Sequence, residues 1–244
     1  MDYDRVVMLN PQFSDAYFNR GLVRGSQGDW EGAIEDYTEA ITLSPHRADA
    51  YYHRGLARRV GGDHEGAKAD FTEAIRRNPQ DKEAYFYRSL VRYQQGDFEG
   101  SIQDCSRILE LAPRSVQAYI QRGNAYLADG KPGKAVADYT EAIRLNPSYY
   151  NAYNNRGEAH FALGKRQQAL ADFKQAFRLS GGKPITLGGL AISFHALGDV
   201  EKARYCWKKL AGQSRFYRDV NWVRQEFNWS APLVEEARKL IVNL

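Results

Sequence analysis

Cysteine, methionine and long apolar runs are scarce in this chain. Two cysteines and two methionines serve 244 residues. Cys105 and Cys206 stand 101 positions apart, which in an elongated array argues against the short Cα–Cα approach that a disulfide needs. A reduced, cytoplasmic setting is the expectation. No apolar stretch approaches the ~20 residues that cross a bilayer, so no membrane insertion is expected. The opening Met1-Asp2-Tyr3-Asp4 lacks the basic-then-apolar pattern of a signal peptide. Catalytic signatures are missing too. The phosphate-cradling Gly-x-x-x-x-Gly-Lys loop is absent, Gly181-Gly182-Lys183-Pro184 being too short, and His64-Glu65 lacks the second histidine of a zinc-protease helix. His46, His53, His64, His160 and His195 are scattered singly, so no metal site follows. No catalytic residue, metal or cofactor is assigned, and the expected role is non-enzymatic.

Proline is also sparse, at eight residues, but five of them fall on one ruler: Pro11, Pro45, Pro79, Pro113 and Pro147 are each separated by 34 positions. A fixed period of this size marks stacked units, none of which can bury its apolar face alone. Other residues keep the same register. An early aromatic (Tyr17, Tyr51, Tyr85, Tyr119, Tyr153) is followed one helical turn later by a small residue (Gly21, Gly55, Ser89, Gly123, Gly157). A glycine at 28, 62, 96, 130, 164 and 198 ends the first helix, and Asp29, Asp63, Asp97 and Asp199 stand ready as N-caps of the second. The second helix repeats Ala33, Ala67, Ser101, Ala135, Ala169 and Ala203. An aromatic follows four residues on, except at Cys105, where the larger Ile108 nearby reads as a local exchange of volume. Asp2-Tyr3 aligns with Asp36-Tyr37, so the chain is expected to open inside the second helix of a repeat.

Tyr-x-x-Arg-Gly-Leu, Gly-Asp-Trp-Glu-Gly-Ala, Tyr-Thr-Glu-Ala-Ile and the closing Pro45 closely resemble the signature of the tetratricopeptide repeat (TPR) family. The resemblance covers about 14–217. It implies an all-α, right-handed superhelical solenoid of stacked antiparallel helix pairs. The expected plan is a partial repeat at 1–13, then six repeats at 14–47, 48–81, 82–115, 116–149, 150–183 and a divergent 184–217. A capping segment at 218–244 completes it, with an amphipathic helix from about Ala231. Trp222, Phe227 and Trp229 are expected to pack on the sixth repeat.

An arginine follows each early tyrosine (Arg20, Arg54, Arg88, Arg122, Arg156), and an aspartate recurs sixteen residues later (Asp36, Asp70, Asp104, Asp138, Asp172). In the sixth repeat both vanish together, to Leu190 and Cys206. Joint loss predicts that the two touch, as guanidinium–carboxylate links between paired helices. Asp2 would be the odd member, its arginine lying upstream of the chain.

In the family the first helices line the concave face, which implies a binding surface here made of Asp15, Phe18, Asn19, Asp49, Tyr52, His53, Glu83, Phe86 and Tyr87, continuing as Gln117, Gln121, Asn124, Asn151, Asn154 and Asn155. Leu22, Leu56, Leu90 and Glu158 complete the columns. Aromatics hold apolar side chains, and amides match the donors and acceptors of an extended backbone. The implied function is a scaffold or adaptor that takes a peptide or protein segment in this groove. The columns that supply lysines to the family's carboxylate clamp hold none here, which argues against a chaperone-tail ligand. Charge is uneven: residues 1–81 carry a net −4 and residues 150–217 a net +7. The acidic, aromatic end suits a peptide with basic and apolar side chains. The basic end raises one alternative, a nucleic-acid or other polyanion binder, and the opening inside a repeat raises another, a regulatory piece of a larger enzyme. The lysines and arginines of the basic end fall mainly around second helices, the outer face, which favours a solvated exterior over nucleic acid. Partner identity and oligomeric state are not legible.

Overall fold

The computed structural model describes residues 3–242. Among the described residues there are fifteen α-helices, one 3-10 turn and no strand, so the chain is all-α. It divides into two compact units, 1–113 and 114–244.

Unit 1 begins with α1 (Tyr3–Leu9) and continues with three helix pairs: α2 (Ser14–Ser26) with α3 (Trp30–Leu43), α4 (Ala48–Val60) with α5 (His64–Arg77), and α6 (Lys82–Gln94) with α7 (Phe98–Leu111). Each first helix stops at a glycine with φ near +80°, as at Gly28 (φ 83°) and Gly62 (φ 84°), a conformation that a side chain would strain. The aspartate that follows caps the second helix. Asp29 accepts from Gly32 N–H at 2.9 Å and Asp63 from Gly66 N–H at 2.9 Å. The pair then closes on a glycine hole. A Cβ on Gly21 would stand 2.7 Å from the Tyr37 ring, and one on Gly55 2.9 Å from Phe71. The large partner of the small residue is therefore the second-helix aromatic, and the early tyrosine instead lies under its arginine, as Arg54 does 5.6 Å over Tyr51.

Unit 2 contains α8 (Val116–Ala128) with α9 (Pro132–Leu145), α10 (Tyr150–Ala162) with α11 (Arg166–Ser180), and α12 (Pro184–Ala196) with α13 (Val200–Ala211). A 3-10 turn (Arg215–Arg218), α14 (Val220–Phe227) and α15 (Ala231–Val242) follow. The same hole recurs at Gly123 against Tyr139 and Gly157 against Phe173. Pro132 opens α9 where the aspartate cap is missing.

All five arginine–aspartate links form, at 2.6 Å (Arg20–Asp36), 2.7 Å (Arg54–Asp70), 2.6 Å (Arg88–Asp104), 2.8 Å (Arg122–Asp138) and 2.7 Å (Arg156–Asp172). Asp2 lies outside the described residues. Two further layers were not read from the sequence. In unit 1 a second arginine reaches each aspartate: Arg24 to Asp36 at 3.1 Å, Arg58 to Asp70 at 2.8 Å, Arg92 to Asp104 at 3.0 Å. In addition, Arg54, Arg88 and Arg156 each donate backward to a threonine of the preceding repeat, Thr38, Thr72 and Thr140, at 3.1–3.2 Å. Each guanidinium thus joins two helices of its own repeat and one of its neighbour. In the sixth repeat Leu190 and Cys206 are both buried in the apolar core, consistent with an ion pair being replaceable only as a pair.

Within each unit the first helices touch one another directly (α2 with α4, α4 with α6; α8 with α10, α10 with α12). They form an inner face. The C-terminal helix α15 packs on α10 and α12, so it lies across that inner face. This explains α12. Thr186 through Ser193 are all buried, and a helix apolar all round must be covered all round.

Candidate functional site

In unit 1 the inner face is an aromatic lattice. His53 meets Phe18 edge-on at 5.5 Å and Tyr52 at 5.1 Å, Tyr52 meets Tyr87 at 6.0 Å, and Phe86 meets Tyr87 at 5.7 Å. Burial pushes the Tyr52 phenol up to about 12, with Tyr87, Asp81 and Glu83 adding to the effect, and it pulls the His53 imidazole below its ordinary value. Both rings are neutral near pH 7 and present hydrogen-bonding edges on an apolar surface. Phe18 itself is only 6% exposed, packed against Tyr37 and His53 with the Arg47 guanidinium 4.0 Å over its ring. Arg47 also pairs with Asp15 and, at 2.9 Å, with Asp49. The exposed acids of the first two repeats thus share a cation that the column reading overlooked. Glu83 is the exposed acid of the third.

A cleft of about 260 Å³ opens between the first two repeats, walled by Leu22, Gly25, Trp30, Tyr37, His53 and Leu56. Position 25, on its wall, is a glycine. The next two repeats place Arg59 and Tyr93 there; Arg59 lies 5.2 Å over Tyr87 and Tyr93 packs 5.5 Å from Phe98. A Cβ at Gly25 would meet its nearest neighbour, the Trp30 ring, at 3.6 Å, an ordinary contact. Reading 25, 59 and 93 as a column shows that the open wall belongs to the first repeat's residue.

In unit 2 the inner face is built from amides. Tyr139 donates to Asn124 Oδ1 at 2.8 Å, and Asn155 Nδ2 donates to the same oxygen at 3.0 Å. Asn154 Nδ2 reaches Asn155 Oδ1 at 3.4 Å. Gln121 is 7% and Asn154 2% exposed, yet Gln121 Nε2 and Asn154 Oδ1 have no hydrogen-bond partner. Gln117 is exposed and Asn151 half-buried at its edge.

The next rung is closed. Trp229 lies where a Cβ on Gly188 would sit, 2.9 Å away, with Phe227 beside it. Ser230 N–H donates to Glu158 Oε1 at 2.5 Å. Trp222 is partly buried against the same core and also stacks on Phe216 at 5.4 Å. Leu233, Ala237 and Leu240 of α15 are fully buried. Gly188 and Ile192 occupy the same columns as Asn154 and Glu158, so the C-terminal segment sits on ligand-column positions of the last two repeats. The sequence hid this, because residues 158 and 230 share no period.

Among the described residues, no group of three or more His, Cys, Asp or Glu side chains is placed to hold a metal ion. No described helix is long and apolar enough to cross a membrane.

Three family models match the chain: one described as Tetratricopeptide repeat over 52–116, one described as TPR repeat over 25–59 and 123–164, and another Tetratricopeptide repeat model over 150–182. No curated protein matches the sequence. Solved structures do. Pseudomonas aeruginosa pilF is 18% identical with a TM-score of 0.70, over 88% of this chain and 96% of that one. YrrB, described as a TPR protein with an unusual peptide-binding site, is 20% identical with a TM-score of 0.69, over 77% and 96%. A tetratricopeptide repeat protein from Parabacteroides merdae ATCC 43184 is 22% identical with a TM-score of 0.66, over 98% and 88%. At these identities the likeness is one of fold.

Proposed function

The chain belongs to the tetratricopeptide repeat family, and from that premise we propose that it is a non-catalytic scaffold that binds an extended peptide or protein segment on its inner face. The observation that carries this reading is the make-up of the first-helix face: interlocked aromatic rings at Phe18, Tyr52, His53, Phe86 and Tyr87 in unit 1, and the side-chain amides of Asn124 and Asn155 in unit 2. Aromatic rings hold apolar side chains, and amides match the carbonyl and N–H of a peptide backbone. The cleft beside Trp30 supports the reading from unit 1. At about 260 Å³ it exceeds the ~150 Å³ that houses a benzene ring, so it suits one aromatic or large aliphatic side chain. Because Arg47 already engages Asp15 and Asp49, apolar content is the stronger requirement on a ligand, ahead of basic charge.

A random-peptide display selection on the full chain tests this. Selected peptides are expected to carry a recurring large apolar residue, and to lose at least ~10-fold affinity, about 1.4 kcal/mol, on the Tyr52→Ala/Tyr87→Ala variant or on the Asn124→Ala/Asn155→Ala variant, each of unchanged helicity. A charge-reversed outer-face variant, Lys174→Glu/Lys208→Glu, should bind them as the wild type does. Peptides that bind the wild type and both inner-face variants alike, or salt-sensitive capture of heparin or oligonucleotides only, would sink the inner-face reading.

A further inference from the structure

Glu158 is the one acid on the inner face that is almost fully buried, at 7% exposure, and it has no cation. Its hydrogen-bond partner is the start of the C-terminal segment, through Ser230 N–H. The charged groups of the surrounding elements are engaged elsewhere or face water. Arg156 and His160 pair with Asp172, Arg122 with Asp138, and His195 of α12 with Glu236 of α15 at 2.6 Å. Lys239 pairs with Glu236, and Arg224, Glu226, Glu235 and Arg238 are exposed. A carboxylate buried without a counter-ion is costly, so the group either takes a proton or regains water. Regaining water here means lifting Ser230 and the helix behind it.

The segment is placed to lift. It lies outside the repeat ladder, it rests on the first helices α10 and α12, and its opening leaves every arginine–aspartate link in place. Elements outside the main cooperative unit can open locally without global unfolding. Its seat is also imperfect, since the buried Trp229 indole N–H has no partner.

We propose that the C-terminal segment Trp229–Ile241 is a lid on the inner face of repeats five and six, and that protonation of Glu158 holds it shut. The covered surface belongs to the inner face read above as the binding surface, so closure would bar ligands from those two repeats. The Glu158 environment agrees in sign: burial raises its carboxyl from the ordinary 4.5 to about 7, against the opposing hydrogen bonds from Ser230. A raised acid favours the closed state most below its open-state value, and that advantage is lost as pH rises through the closed-state value. From 4.5 and about 7, linkage makes the open-to-closed ratio rise roughly tenfold between pH 6 and pH 8.

Hydrogen exchange on the full chain, corrected for the intrinsic pH dependence, reads this without any ligand. Residues 231–241 should open roughly tenfold more often at pH 8 than at pH 6, while α8 shows no such change. Glu158→Gln keeps an acceptor for Ser230 N–H and should abolish the difference while leaving the segment protected. The wild-type comparison stands by itself if that variant folds poorly. Equal opening of 231–241 at both pH values overturns the lid. So does a pH difference that survives in Glu158→Gln, or exchange of 231–241 only in concert with α10–α13. A failed peptide selection with a positive exchange result would remove the ligand reading and leave the lid.

Discussion

In unit 1 every buried aspartate is held by two guanidinium groups, whereas in unit 2 Asp138 is held by Arg122 and Asp172 by Arg156 and the His160 ring. The faces differ as well. Unit 1 presents aromatics and an open cleft, and unit 2 presents amides and then a stretch covered by Trp229 and α15. One repeat length supports both, because two sets of columns are independent. The columns that point between helices of a pair (Gly21, Tyr37, Arg20, Asp36 and their equivalents) set the architecture. Those that point inward from the first helices are free to vary, and they do.

The largest effect is expected where two guanidinium groups depend on one carboxylate. Asp70→Ala strands Arg54 and Arg58 and should cost about 3–5 kcal/mol in urea denaturation, clearly more than Asp138→Ala. Equal losses would mean that the second arginine of unit 1 contributes nothing. Next comes the cleft. Gly25→Tyr, which imports the third repeat's residue, should fill it and weaken selected peptides at least ~10-fold, or about 1.4 kcal/mol. Stability should hold or rise, because a glycine leaves a helix interior. Undiminished binding would show that no ligand side chain enters there.

The joints between repeats should respond more weakly. Thr72→Ala and Thr140→Ala each remove one acceptor from a guanidinium, at Arg88 and Arg156 respectively, for about 0.5–1.5 kcal/mol in the same denaturation assay. The smallest effect concerns pH. Burial lowers the His160 imidazole below its ordinary 6.5, against the opposing pull of Asp172. Its neutral form is favoured in the fold, so that contribution is complete above 6.5 and is lost as pH falls through the folded value. Denaturation midpoints compared at several pH values below 7 should show this acid sensitivity in the wild type, and His160→Arg, which copies the second arginine of unit 1, should remove it. An unchanged pH profile in that variant would assign the sensitivity elsewhere, His53 being the first alternative.

Much of this was legible because it repeats. Helix ends, caps and glycine holes recur every 34 residues, and the arginine–aspartate pairing showed itself through its joint loss at Leu190 and Cys206. The second arginines at 24, 58 and 92 obeyed the same ruler and were overlooked. Arg47 was harder to foresee, since it sits at the N-cap of α4 and acts on residues of two repeats. The covering of Glu158 could not be read at all. It depends on a contact across 72 positions made by a segment in which the period has ended, so only three-dimensional packing reports it.

The backward bond from Arg54 to Thr38, repeated from Arg88 to Thr72 and from Arg156 to Thr140, has a consequence for how such chains grow. The α4–α5 pair carries both halves of the joint, the donor Arg54 near its start and the acceptor Thr72 near its end. A duplicate of that block would arrive with both halves already matched to its own copy, and lengthening the array in this way requires no new invention at the seam.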